Sequence, residues 1–184
     1  MKTIMVLCAA FCIHAEMALS AERGRQKVLV VYYSRSGRTR AVAERLQAKT
    51  GADIYEIRDA HPYPESFQAV NDVVRRQLAQ DDFPDIVGDF PDLNAYDVIL
   101  IGAPVWWHTT PPPVSRYLKE HDFAGKKVAG FCTYETNLFQ YQDRFKQQVR
   151  NGMVKEGISI SFPNRMAAGE LESLLDAWLD TVAK

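Results

Sequence analysis

Charge of one sign is what this 184-residue sequence most plainly lacks, since 22 Lys and Arg against 23 Asp and Glu leave a formal net charge of −1. Nucleic-acid binding calls for a basic patch or stripe, so a nucleic-acid partner is not expected. Cysteine is scarce as well. Of the three present, Cys8 and Cys12 lie in the amino-terminal stretch and Cys132 stands alone, so a chain trimmed of that stretch closes no internal disulfide. The longest apolar run, residues 4–13, falls well short of the roughly 20 residues a membrane-spanning helix needs. The G-x-x-x-x-G-K-[S/T] and G-x-G-x-x-G phosphate motifs are both missing. There is also no His, Cys and carboxylate grouping at metal-ligand spacing, and no tract biased enough for a linker, repeat or tail. What remains, 47% hydrophobic and 24% charged residues, suits a single globular domain.

Residues 1–20 read as separate from that domain. Lys2 precedes the apolar run 4–13, and Ala18-Leu19-Ser20 supplies a small-x-small site. This is the pattern of a secretory signal peptide cleaved near Ser20, leaving residues 21–184 as the domain. The expected location is then periplasmic or secreted, with no stable membrane anchor after processing. A start at Met17 is the alternative, and it would leave a cytoplasmic chain.

The domain is organised around Val28 to Thr39, VLVVYYSRSGRT. Val28 to Tyr32 is too continuously apolar for a strand with one wet face, which predicts a central strand of a parallel sheet. Thr39, Val42, Ala43 and Leu46 then follow i, i+3, i+4, i+7 spacing, and Gly51 stands where a helix C-cap belongs. Between strand and helix lie Ser34, Arg35, Ser36, Gly37, Arg38 and Thr39. Backbone N–H groups at the positive end of a helix, joined by three hydroxyls, can converge on an anion. A turn and an N-cap would need the same residue types. A single glycine among hydroxyls suits a terminal monophosphate.

Farther along, Asp53 to Ile57 alternates as an edge strand does, and Phe67 to Leu78 carries helical spacing at Phe67, Val70, Val73, Val74 and Leu78. Residues 80–94 read as a loop. Val98 to Gly102 is a second central strand, followed by Ala103-Pro104-Val105-Trp106-Trp107-His108-Thr109-Thr110-Pro111. Two tryptophans at the carboxyl end of a central strand lie where open α/β sheets bind ligands. One indole is expected to face a ligand and the other to join the core, with His108 near the entrance. Helices over 114–121 and 138–154, strands over 128–132 and 158–162, and a terminal amphipathic helix with Leu171, Leu174, Leu175, Trp178 and Val182 complete the pattern. Cys132 has no neighbouring base and reads as a buried small hydrophobe.

S-x-S-G-x-T directly after the first strand resembles the phosphate loop of flavodoxins. A-P-V-W-W-H-T-T-P resembles the G-x-P-x-W-W-x-x-x-P segment of short bacterial flavodoxin-like proteins, and D-F-A-G-K-K-V-A-G-F-C-T their D-L-x-G-K-x-V-x-x-F-x-T. The likeness runs from Lys27 to Thr133 in order and spacing. It implies an α/β, flavodoxin-like three-layer sandwich, with a five-stranded parallel sheet of order 2-1-3-4-5 and helices on both faces. It also implies FMN as cofactor. Residues 34–39 would hold the phosphate, Pro104, Val105, Trp106 and Trp107 one side of the isoalloxazine, and Thr133, Tyr134 and Glu135 its pyrimidine edge. Where those relatives continue with Ser and Gly, this chain has Tyr134-Glu135-Thr136-Asn137. The implied function is electron transfer, or FMN-dependent reduction of a redox partner protein or small electron acceptor. An NAD(P)H-dependent quinone or nitro-compound reductase, and a flavodoxin-fold binding protein that has lost FMN, are the alternatives.

Overall fold

The computed structural model describes residues 26–135, 138, 140–167 and 169–184. The expected signal segment and the Met17 start lie outside them, as do Thr136, Asn137 and Phe139. Strand β1 is Val28–Tyr32, helix α1 Arg38–Thr50 and strand β2 Asp53–Glu56. A two-residue strand β3, Arg58–Asp59, precedes helix α2, Phe67–Gln80, and strand β4, Ile86–Val87. Strand β5, Val98–Pro104, leads to helix α3, Pro112–Glu120, strand β6, Lys127–Tyr134, and helix α4, Tyr141–Gln148. Strands β7, Met153–Val154, and β8, Ile158–Ser161, come before the terminal helix α5, Glu170–Ala183.

The sheet is parallel, in the order β2-β1-β5-β6, with β7 and β8 both paired to the far side of β6. That is the expected 2-1-3-4-5 order with its fifth strand in two pieces. Register explains the division: Val128 faces Val154, but Phe131 faces Ile158, so the outer strand carries one extra residue. Such a bulge bends an edge strand and leaves backbone groups to be satisfied from outside the ladder. Trp178 Nε1 donates to Glu156 O at 2.8 Å, and Gln142 Nε2 donates to Ile158 O at 3.2 Å.

Both faces are covered, as the continuous apolar runs of β1 and β5 require. Val42 and Leu46 of α1 with Leu171, Leu175 and Trp178 of α5 bury Val30, Leu100 and Phe131. On the other face, Tyr117 and Leu118 of α3 and Phe145 of α4 bury Leu29, Val31, Ile99 and Ile101. Where β5 and β6 lie side by side, a Cβ at Gly102 would sit 2.0 Å from the Phe131 ring, so only glycine fits.

Several boundaries differ from those read in the sequence. The expected helix over 138–154 ends at Gln148, because Asn151 turns the chain at a φ of 54° and Met153 and Val154 then join the sheet. Met153 is consequently exposed rather than inward. Phe67 also faces solvent, at 81% exposure, and Leu174 is exposed on its helix. Helix α3 begins two residues early, at prolines, whose missing N–H is harmless in a first turn. The expected loop over 80–94 contains β4, which pairs antiparallel with β3.

Candidate functional site

Three loops meet at the carboxyl ends of β1, β5 and β6, the third, which follows Tyr134, being described only through Glu135. The first is residues 33–37. Gly37 takes φ 82° and ψ −10° as the N-cap of α1, and the first helical hydrogen bond, Ala41 N to Gly37 O, measures 2.9 Å. No side chain caps this helix. Among the described residues, the backbone N–H groups of residues 34–40 find no backbone acceptor. Ser34 Oγ is buried and also has no partner. Unpaired donors at a helix's positive end, beside an orphaned buried hydroxyl, form a cradle that an anion would satisfy.

The other predicted loop residues divide by partner. Thr39 is buried, and its Oγ1 lies 2.9 Å from Thr133 Oγ1, tying the start of α1 to the end of β6. Arg38 pairs with Glu135 across the same gap. Arg35 turns away, and its Nη2 donates to Pro64 O at 2.7 Å and Glu65 O at 3.1 Å, strapping the 61–66 loop to the cradle. Ser36 is exposed. Pro104 lies opposite Thr133 in the ladder, and Val105 N donates to Thr133 O at 2.9 Å, so the second and third loops are fastened together. Tyr134 O accepts from Phe162 N at 3.2 Å.

The second loop is a tight hairpin. Trp106 and Thr109 exchange backbone hydrogen bonds of 3.1 and 3.0 Å, with Trp107 at φ 52° and His108 at φ 62° on the tip. Two positive φ values in a two-residue connection mark a type I′ turn, a conformation that favours Gly, Asn or Asp. A tryptophan held there carries about 1–2 kcal/mol of local strain. Trp106 is wedged edge-on between Tyr33, 5.8 Å away, and Tyr63, 5.4 Å away. Trp107 is 42% exposed, with the Arg75 guanidinium 5.9 Å from its ring centroid. Of the tandem tryptophans, Trp106 is the one partly buried against the core and Trp107 the one left exposed.

Tyr33, Asp59, Tyr63 and Arg75 support this hairpin, and sequence reading assigned them no role. Tyr33 OH donates to Asp59 Oδ2 at 2.9 Å, and Tyr63 OH to Gln77 Oε1 at 2.7 Å. Burial raises the Asp59 carboxyl above the usual carboxylate range, the Tyr33 hydrogen bond opposing it. Burial and the adjacent Asp59 charge likewise drive the Tyr33 hydroxyl far above its ordinary value. Their only signal in the sequence was position: Tyr33 follows the last residue of β1, and Asp59 and Tyr63 stand on either side of His61-Pro62. Cys132 is buried, with its thiol pushed up to about 12 by desolvation, and it is no nucleophile at neutral pH.

A flavodoxin family model matches residues 27–182. Among solved structures, the chain is similar to a Lactobacillus acidophilus flavoprotein determined in complex with FMN, at 26% identity and a TM-score of 0.71, covering 84% of this chain and 99% of that one. A flavoprotein assignment from Bacteroides eggerthii is 28% identical at a TM-score of 0.73, covering 86% of this chain and 99% of the other. Oxidised Flavodoxin 2 of Bacillus cereus, at 21% identity and a TM-score of 0.56, covering 85% and 97%, shares the fold. Among curated protein sequences, nothing matches.

Proposed function

Since the chain belongs to the flavodoxin family, we propose that it binds FMN in this three-loop site and serves as a redox protein, passing electrons to a partner protein or small acceptor. The observation that carries this reading is the cradle itself: among the described residues, Ser34 Oγ has no hydrogen-bond partner and the N–H groups of residues 34–40 find no backbone acceptor, at a helix N-terminus. A monophosphate matches that donor set. The exposed Trp107 indole supplies an aromatic face on the loop after β5, and the similar Lactobacillus acidophilus structure holds FMN. Bound FMN would supply the electron-transfer chemistry.

The chain's own residues bind and orient. Backbone N–H groups of the cradle would donate to the phosphate oxygens without a lysine, and the Thr39–Thr133 hydrogen bond holds the floor between cradle and third loop. Residues 133–135, at the end of β6 and just past it, would border the flavin ring. Purified protein tests the reading at once. A yellow preparation, or apo-protein that quenches FMN fluorescence stoichiometrically, is the expected result; a colourless chain that leaves FMN fluorescence unchanged would overturn it.

The Arg38–Glu135 pair makes a further expectation. With side chains 38% and 51% exposed, it adds little to stability, but it turns a guanidinium at the cradle toward a carboxylate instead of a phosphate. Glu135→Gln keeps size and polarity while releasing Arg38. FMN affinity is then expected to rise about two- to fivefold and to depend more steeply on salt. Titrations at two ionic strengths check it, and unchanged or weaker binding would mean that Arg38 never reaches the phosphate.

We also infer export, on the strength of Lys2, the apolar run 4–13 and Ala18-Leu19-Ser20. Intact mass of protein from its native host is expected to correspond to a chain beginning near Ala21. A mass that retains Met1, or one that begins at Met17 in the cytoplasm, would contradict this.

A further inference from the structure

We propose that Asp59 is a positioning residue for the tryptophan hairpin, and that its ionised carboxylate holds the hairpin in the form that binds FMN, so that protonation loosens the grip. The inference rests on the FMN reading above and adds an acid-sensitive control to that site. Its basis is a chain of contacts leading from one buried carboxyl to the exposed indole. Asp59 Oδ2 accepts the Tyr33 hydroxyl at 2.9 Å. The Tyr33 ring meets Trp106 edge-on at 5.8 Å, and Tyr63 meets the same indole at 5.4 Å, both at an interplanar angle of 89°. Trp106 in turn closes the two-residue turn by its paired hydrogen bonds with Thr109, setting Trp107 at the tip. The turn has two non-glycine residues at positive φ. It therefore depends on outside support, and Trp106 is where that support enters.

Among the described residues, nothing else bonds this carboxyl: Asp59 Oδ1 is buried without a hydrogen-bond partner, a cost for a charged group that the Tyr33 bond to Oδ2 offsets only in part. The charged groups around it are peripheral. Arg35, Glu56, Arg58 and Glu65 line, with Tyr63, an open cavity of about 400 Å³ against which Asp59 lies. Of these, Arg35 is committed to the Pro64 and Glu65 carbonyls and Glu56 to Arg40. Across the β3–β4 ribbon, Asp85 is paired with Arg116. Tyr33 is thus the single hydrogen-bond donor to the carboxylate among the described residues.

The signs of two pH effects separate this role from general acid unfolding. A buried carboxyl whose folded value is raised makes the fold less stable when ionised, so protonating Asp59 relieves the fold as pH drops through its raised range. The hydrogen bond from Tyr33 weakens at the same step, because a charged acceptor binds a hydroxyl more strongly than a neutral one. FMN affinity should consequently fall while the protein stays folded.

The test is FMN affinity measured from neutral pH down to about pH 4, the ordinary aspartate range, for the wild type, Asp59→Asn and Tyr33→Phe. The wild type is expected to lose about three- to tenfold in affinity on acidification, at a pH above the ordinary aspartate range. Both variants should start near that lower affinity and lose on acidification only what protonation of the FMN phosphate, with its second pKa of about 6, costs every variant alike, with Tyr33→Phe keeping the ring contact on Trp106. Near-ultraviolet circular dichroism of the apo-proteins gives a reading without cofactor: an acid step in the aromatic signal of the wild type, absent from both variants. If the wild type takes no FMN at any pH, the FMN reading fails, and the dichroism alone decides the coupling. If both variants lose as much affinity on acidification as the wild type, or the wild-type aromatic signal shows no step, Asp59 does not position the hairpin.

Discussion

Gly37→Val is expected to weaken FMN binding at least about tenfold while the rest of the domain stays folded. Crowding is not the reason, because a Cβ built at Gly37 meets nothing within 4 Å. The effect is conformational. Gly37 holds φ 82° at the mouth of α1, and moving a β-branched residue into the left-handed region costs about 1–2 kcal/mol. The loop can avoid that cost only by turning residue 37 out of the conformation that aims the neighbouring N–H groups at one point. About 1.4 kcal/mol corresponds to a decade of affinity. Asparagine tolerates positive φ, so Gly37→Asn should retain most of the binding. Fluorescence titration of FMN with apo-protein, alongside thermal unfolding, checks both variants. Wild-type affinity in the valine variant would place the phosphate elsewhere.

Trp107→Ala should lower affinity by roughly 5- to 150-fold, the equivalent of about 1–3 kcal/mol of ring stacking by analogy with base–aromatic contacts. The indole is 42% exposed and its principal neighbour is Arg75, so the fold loses little when it is removed. Trp107→Gly sharpens the test. Glycine relieves the strain of φ 52° at the turn, so thermal stability should be kept or rise by about 1 kcal/mol, yet affinity should fall as in the alanine variant. Trp106→Ala should do the reverse, destabilising the domain by emptying the wedge between Tyr33 and Tyr63. Unchanged FMN affinity in both Trp107 variants would show that the exposed indole is not a flavin face.

The amino-acid sequence by itself determined the parallel sheet and the loops at its carboxyl ends, while the strand order was what the resemblance to flavodoxins implied. Val28 to Tyr32 and Val98 to Ile101 are apolar at every position, and such runs are stable only when helices cover both faces. Gly37 and Gly51 mark the ends of α1 through their positive φ, a requirement that glycine meets and that a local reading can detect. The tandem Trp106-Trp107 was legible as a pair shared between core and ligand, but which indole packs inward was set by the tight turn after β5 and by Tyr33 and Tyr63.

Tertiary structure alone decided the rest. Two-residue strands such as β3, β4 and β7 have no periodicity to read; β3 and β4 exist through pairing with each other and β7 through its pairing with β6. The end of α4 at Gln148 was hidden for a related reason, since a polar helix and a polar turn share a composition and only the edge of β6 distinguishes them. Arg35 and Arg38 flank the Ser36-Gly37 pair and looked equivalent, yet one binds carbonyls 29 and 30 positions away and the other a carboxylate 97 positions away. Tyr33 and Asp59 carry no motif, and their hydrogen bond spans 26 positions. Backbone preferences act over a few residues and so leave a local record, whereas the partner of a long or buried polar side chain is chosen by which segments the completed sheet brings within hydrogen-bonding distance.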